Sequence, residues 1–153
     1  MDITEVSMAL REVDDTLNRV NWGGCAWIAA RVAEKAQANN YPLRITTSGN
    51  SSVDIDEIRP DVDNPLEKEN WYPHGISSFS HVWVEVQVNG EWWAMDATGI
   101  HSLDAMYEEW GTPCTGSFTL EEMKSMAAQN TWNSTFDRRQ LPHIEEMINS
   151  IEF

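Results

Sequence analysis

Apolar residues recur along the first stretch at alternating steps of three and four: Ile3, Val6, Leu10, Val13, Leu17 and Val20. That period places them on one face of a helix over residues 2–20, with Asp2 and Glu5 as a capping box. The stripe reads as core packing. Asn21-Trp22-Gly23-Gly24 breaks this helix, and an Ala-rich segment predicts a second one from Cys25 to Ala38. Asn39-Asn40-Tyr41-Pro42 ends it, and Leu43 to Thr47 predicts a short strand. Ser48 to Ser80 shows no period and reads as a long loop, rich in Asp and Glu, that could border a cleft. Ser80 to Gly99 then predicts a β-hairpin. Its arms are rich in Val and Trp, and Asn89-Gly90 supplies the two positive-φ residues of a type I′ turn. Leu103 to Trp110 reads as a short helix or loop. Thr119-Leu120-Glu121-Glu122 is a capping box opening a helix to about Gln129. Pro142 to Ile151 predicts a last helix, with Ile144, Met147, Ile148 and Ile151 on one face.

The hairpin turn fixes a register with a chemical consequence. A two-residue loop pairs Val88 with Glu91, so Trp83 lies opposite Asp96 and His81 opposite Thr98. Side chains alternate faces along a strand. His81, Trp83, Asp96 and Thr98 therefore point one way, and His81 and Asp96 are diagonal neighbours. A carboxylate beside an imidazole orients the ring and stabilises its charged form. The expected cover for this face is the Cys25 helix near His81, with Glu85 and Gln87 solvated towards the turn. Trp83, Trp92 and Trp93 read as core.

Cys25 is the matching nucleophile. It falls at a predicted helix N-terminus, whose partial positive charge favours a thiolate, directly after glycines that let a substrate backbone approach. The backbone N–H of Cys25, after Gly24, would hold a tetrahedral oxyanion, with Asn21 or Trp22 as a second donor. Cys114, after Thr112-Pro113, has no evident activator. His74 and His101 lie near the motif, but their spacing matches no known metal site, and no metal or other cofactor is expected.

Composition narrows the setting. A chain of 153 residues, 41% hydrophobic, reads as one domain over residues 1–153 that needs no disulfide or metal staple. A formal net charge of −15 argues against a nucleic-acid partner. No apolar run is long enough to span a bilayer, and the N-terminus is unlike a signal peptide. A cytoplasmic protein is expected, with no membrane partner. Its two cysteines then read as thiols.

Two stretches resemble the transglutaminase-like cysteine hydrolase superfamily. Gly23-Gly24-Cys25-Ala26-Trp27-Ile28-Ala29 is similar to the family's Gly-x-Cys-x-x-(large apolar)-Ala motif. His81-Val82-Trp83-Val84-Glu85-Val86, Gly90, Trp92, Trp93 and Asp96-Ala97-Thr98 are similar to its His-Ala-Trp-Val-Glu-Val stretch, glycine turn, Trp and Asp-Pro-Thr ending. Order and spacing fit, with Ala97 where Pro is usual and Val82 where Ala is usual. The resemblance implies an α+β, papain-like (transglutaminase-core) fold. Its catalytic helix would pack on a small antiparallel sheet, flanked by N- and C-terminal helices. It also implies a Cys25-His81-Asp96 triad that attacks amide carbonyls of a protein or peptide substrate through an acyl-thioenzyme. The expected activity is that of a thiol-dependent amide hydrolase of cysteine peptidase type. The alternatives are a glutamine or asparagine deamidase, a transglutaminase, and a non-catalytic interaction protein that keeps the fold. Nothing in the sequence fixes the oligomeric state.

Overall fold

The computed structural model describes residues 1–17, 20, 24–49, 51–52, 76–129 and 137–153. Helix α1 spans Ile3–Thr16, opened by Asp2, whose carboxylate accepts from the Thr4 and Glu5 N–H groups at 3.0 and 3.1 Å. Its predicted stripe faces inward: Val6, Leu10 and Val13 are buried, as is Val20 beyond the helix end. Helix α2 runs Cys25–Ala38, the span expected from its Ala content. Strands β1 (Leu43–Ser48), β2 (Ser51–Ser52), β3 (Ile76–Ser78), β4 (His81–Val88), β5 (Glu91–Asp96) and β6 (Gly99–Ser102) follow. Helix α3 (Leu103–Trp110), strand β7 (Pro113–Phe118) and helix α4 (Leu120–Gln129) come next. A 3₁₀ turn at Arg138–Gln140 leads into helix α5 (Leu141–Asn149).

Five strands form one antiparallel sheet in the order β6-β5-β4-β1-β7. Helix α2 packs on it through β4, β1 and β5, and α4 and α5 pack on α2. The architecture is thus mixed α+β, with helices against a five-stranded antiparallel sheet. Among the described residues no helix is long and apolar enough to cross a membrane.

The hairpin forms in the predicted register. Val84 pairs with Met95, Gln87 with Trp92 and Val88 with Glu91, and Asn89 and Gly90 have φ of 52° and 83°. Beyond Asp96 the expectation fails. The strand stops there, and Ala97-Thr98 turn the chain back into β6, where Gly99 pairs with Asp96. Thr98 therefore folds over Asp96 instead of lying opposite His81. Gly99 makes the turn possible, because it has a φ of +120° and a Cβ there would stand 2.7 Å from Ser7 Oγ of α1.

Both faces of the sheet are covered. Val82, Val84, Val86 and Val88 join the main core with Ile28, Ala29 and Val32 of α2. Trp83 and Ala94 join Met106 of α3 in a second cluster, flanked by Leu103, Tyr107 and Trp110. The His81 face is therefore roofed by α3, not by the body of the Cys25 helix. Glu85 is fully buried there, not solvated. Its carboxylate accepts from Arg44 Nε at 2.5 Å, Trp83 Nε1 at 3.1 Å and the Tyr107 hydroxyl at 2.6 Å. Of the other two Trp residues expected in the core, Trp93 packs against it partly buried, while Trp92 lies under the Arg44 guanidinium at 4.2 Å.

Candidate functional site

Because β4 begins at His81 and β5 ends at Asp96, the hairpin register carries both side chains to the same end of the sheet. His81 Nε2 and Asp96 Oδ2 are 2.7 Å apart, and their side chains are 1% and 3% exposed. The other carboxylate oxygen, Oδ1, accepts from the Thr98 backbone N–H at 2.8 Å and the Thr98 hydroxyl at 2.6 Å. His101 Nε2 reaches the same hydroxyl at 2.8 Å and lies 3.7 Å from Oδ1. Burial works against a charge on Asp96. The nearby His101, hydrogen bonds from His81 and Thr98, and the charge of His81 outweigh it and hold the carboxyl well below its usual range.

The same opposition acts on His81. Burial disfavours its cation, but the hydrogen bond and charge of Asp96 and the nearby Cys25 raise its pKa from 6.5 to about 9. Both shifts favour an imidazolium against a carboxylate. A buried ion pair persists only where further hydrogen bonds satisfy its atoms, and Thr98 provides two of them. Trp110 of α3 stacks on the imidazole at 4.1 Å between ring centroids, tilted by 21°. The Trp83 ring lies 5.8 Å from it.

Cys25 opens α2, 8% exposed. Among the described residues, no side-chain cap bonds the first turn of α2 behind Gly24. Cys25 helps to raise the His81 pKa as a neighbour, but its thiol makes no hydrogen bond with the ring. The direct bond of this site is His81–Asp96. Among the described residues His81 Nδ1 has no hydrogen-bond partner, and neither has the buried Ser48 Oγ. Ser48 is paired directly opposite His81 across β1 and β4, so the two side chains share a face. Of the other residues singled out in the sequence, Asn21, Trp22 and His74 lie outside the described residues, as do residues 53–75 of the stretch expected to form a long loop. A cleft of about 510 Å³ opens beside Trp110, lined by Gly49, Trp110, Gly111, Thr112, Pro113 and Cys114, none of them charged.

Sequence reasoning missed Thr98 and His101 as partners of Asp96, and Trp110 as the cover of His81. The first had a signal in Asp96-x-Thr98, since Asp side chains bond backbone N–H groups two residues on. The second had none, because it depends on how α3 docks. Among the described residues no group of three or more His, Cys, Asp or Glu is arranged to hold a metal ion. Comparison with protein-family models, curated proteins and solved structures finds no match.

Proposed function

We propose that this chain is a thiol-dependent amide hydrolase of the transglutaminase-like, papain-like type, with Cys25, His81 and Asp96 as its triad. The observation that carries the reading is the buried 2.7 Å His81–Asp96 pair, whose imidazole is also raised by the thiol at the start of α2. Asp96 takes Nε2, which leaves Nδ1 as the edge for exchanging a proton with Cys25. The described lining of the cleft beside Trp110 carries no charge and suits a neutral peptide segment.

In this mechanism the Cys25 thiolate attacks the amide carbonyl carbon, and the C–S bond forms as the carbonyl becomes an oxyanion. The Cys25 backbone N–H, aided by the helix dipole, faces that charge. The His81 imidazolium gives its proton to the leaving nitrogen, the C–N bond breaks, and an acyl-thioenzyme remains. His81 then takes a proton from water, whose oxygen attacks the thioester. The C–S bond breaks, the acid leaves and the ion pair is restored. An amine in place of water would transfer the acyl group instead.

The test uses a blocked amino-acid p-nitrophenyl ester as acyl donor, with the product read by intact mass. The expected result is a single acyl adduct on Cys25, absent in Cys25→Ala and formed about 10²–10⁴-fold more slowly in His81→Ala, the usual contribution of a general acid–base group. An adduct formed equally fast without His81, or none on Cys25, would overturn the reading.

A further inference from the structure

The Thr98 hydroxyl has one proton and two acceptors within reach: Asp96 Oδ1 at 2.6 Å and His101 Nε2 at 2.8 Å. The proton's direction depends on His101. When Nε2 carries a hydrogen it donates to Thr98 Oγ1, and the hydroxyl must turn to Asp96. When Nε2 is bare it accepts the hydroxyl, and Oδ1 keeps only the Thr98 backbone N–H, at 2.8 Å. The three ionisable groups also differ in access. The His101 side chain is 28% exposed, against 3% for Asp96 and 1% for His81. His101 is thus a solvent-accessible, ionisable end of a hydrogen-bonded chain that leads through Thr98 and Asp96 to His81.

We propose that His101 is a positioning residue of this site, which sets, through the Thr98 hydroxyl, how much of the Asp96 charge is available to His81. The linkage stands on the geometry, and its effect on Cys25 rests on the thiol-hydrolase reading above. A protonated His101 places both a second hydrogen bond and a positive charge on Oδ1, so Asp96 supports the His81 imidazolium less. A neutral His101 withdraws the charge, and with Nε2 bare it withdraws the hydrogen bond as well, so the imidazolium and its Cys25 thiolate partner are favoured. Reactivity of Cys25 therefore rises as His101 loses its proton.

Among the described residues, other charged groups lie around this hydrogen-bonded series. From α1, Arg11 Nε donates to the Thr98 carbonyl at 3.2 Å, and Asp14 is raised by its own burial and by the charges of Asp96 and Asp15. From β4 and α2 come His81 and Cys25 themselves. Helix α3 turns Leu103, Met106, Tyr107 and Trp110 inward and keeps Asp104, Glu108 and Glu109 exposed.

The test follows the ring nitrogens of His81 by ¹⁵N NMR and Cys25 alkylation by iodoacetamide, both against pH, in a Cys114→Ala background. In the parent both readouts should carry a component that follows the titration of His101, worth up to about tenfold in alkylation rate, the equivalent of one pKa unit. His101→Leu should abolish that component, and so should the milder His101→Gln. Thr98→Val should shrink it while leaving the titration of His101 itself visible. The proposal is overturned if neither readout follows His101, or if the full component persists in Thr98→Val, since His101 would then act only as a charge through space. Failure of the thiol reading looks different: Cys25 would be unreactive at every pH while the His81 signals still follow His101.

Discussion

On one face of β4, Val82, Val84, Val86 and Val88 lie in the core that α2 fills; on the other, His81, Trp83 and Glu85 lie under α3 beside Asp96. Burial of the first face is favourable at every residue, at about 25 cal/mol per Å² of apolar surface. The second face buries a histidine and two carboxylates, each costly unless fully bonded. Its charged groups are bonded in two sets. Glu85 is satisfied by Arg44, Trp83 and Tyr107, which tie β1 and α3 to β4. Asp96 is satisfied by His81 and Thr98, with His101 bonded to the Thr98 hydroxyl, and this set ends in a His81 imidazole edge without a partner among the described residues. The apolar face supplies stability, the Glu85 set ties down the roof, and the Asp96 set holds a buried ion pair at the end of the sheet.

The largest effect should come from the apolar face. Ile28→Ala, on α2, should cost about 2–5 kcal/mol in urea unfolding, with the pH profile of whatever remains folded unchanged. A matching shift in that profile would mean that the two faces are not separable.

The polar face should make stability depend on pH in a way that the apolar face does not. The His81 pKa is raised from 6.5 to about 9, so its contribution is complete below about 6.5 and is lost as pH climbs through about 9. The Asp96 pKa is lowered, so its contribution is present above the unfolded carboxyl pKa of about 3.9 and is lost as pH falls. Urea midpoints taken from pH 5 to 10 should fall at the alkaline end by a few kcal/mol in free energy, and His81→Ala should flatten that fall. The same alkaline fall in His81→Ala would assign it to another group.

The smallest change tests the roof. Tyr107→Phe removes one hydrogen bond to the Glu85 carboxylate, worth about 1.5 kcal/mol for a charged acceptor. Trp110 sits one turn further along α3, so backbone amides of α3 should exchange faster while those of α2 do not. Equal acceleration in both helices would show that Glu85 supports the whole domain and not the roof alone.

Where short-range chemistry decides the structure, the sequence was a sufficient guide. Asn89-Gly90 sets the register that brings His81 and Asp96 together, and the three-and-four spacing sets the inward face of α1. Strand β7 was missed because it has no local period and carries Pro113 and Gly116. It is defined by pairing with the distant β1, with a register shift between Ile45 and Thr46. The turn at Ala97-Thr98 was missed because it uses no usual turn pair. Its cost is met by the Thr98 bonds to Asp96 and by the bare Cα of Gly99 against α1. Burial of Glu85 was missed for a similar reason, since alternation marks an outward face but not whether a later helix covers it.

The central claim is that the thiol of Cys25 and the imidazole of His81 act as one ionised pair. Its most direct test is the rate of Cys25 alkylation by iodoacetamide across pH in a Cys114→Ala background, with and without His81→Ala. The account predicts fast labelling well below the free thiol pKa of about 8.5, and a return to ordinary thiol behaviour when His81 is removed. A Cys25 that does not react in the folded protein, or that titrates as a free thiol with His81 present, would contradict it.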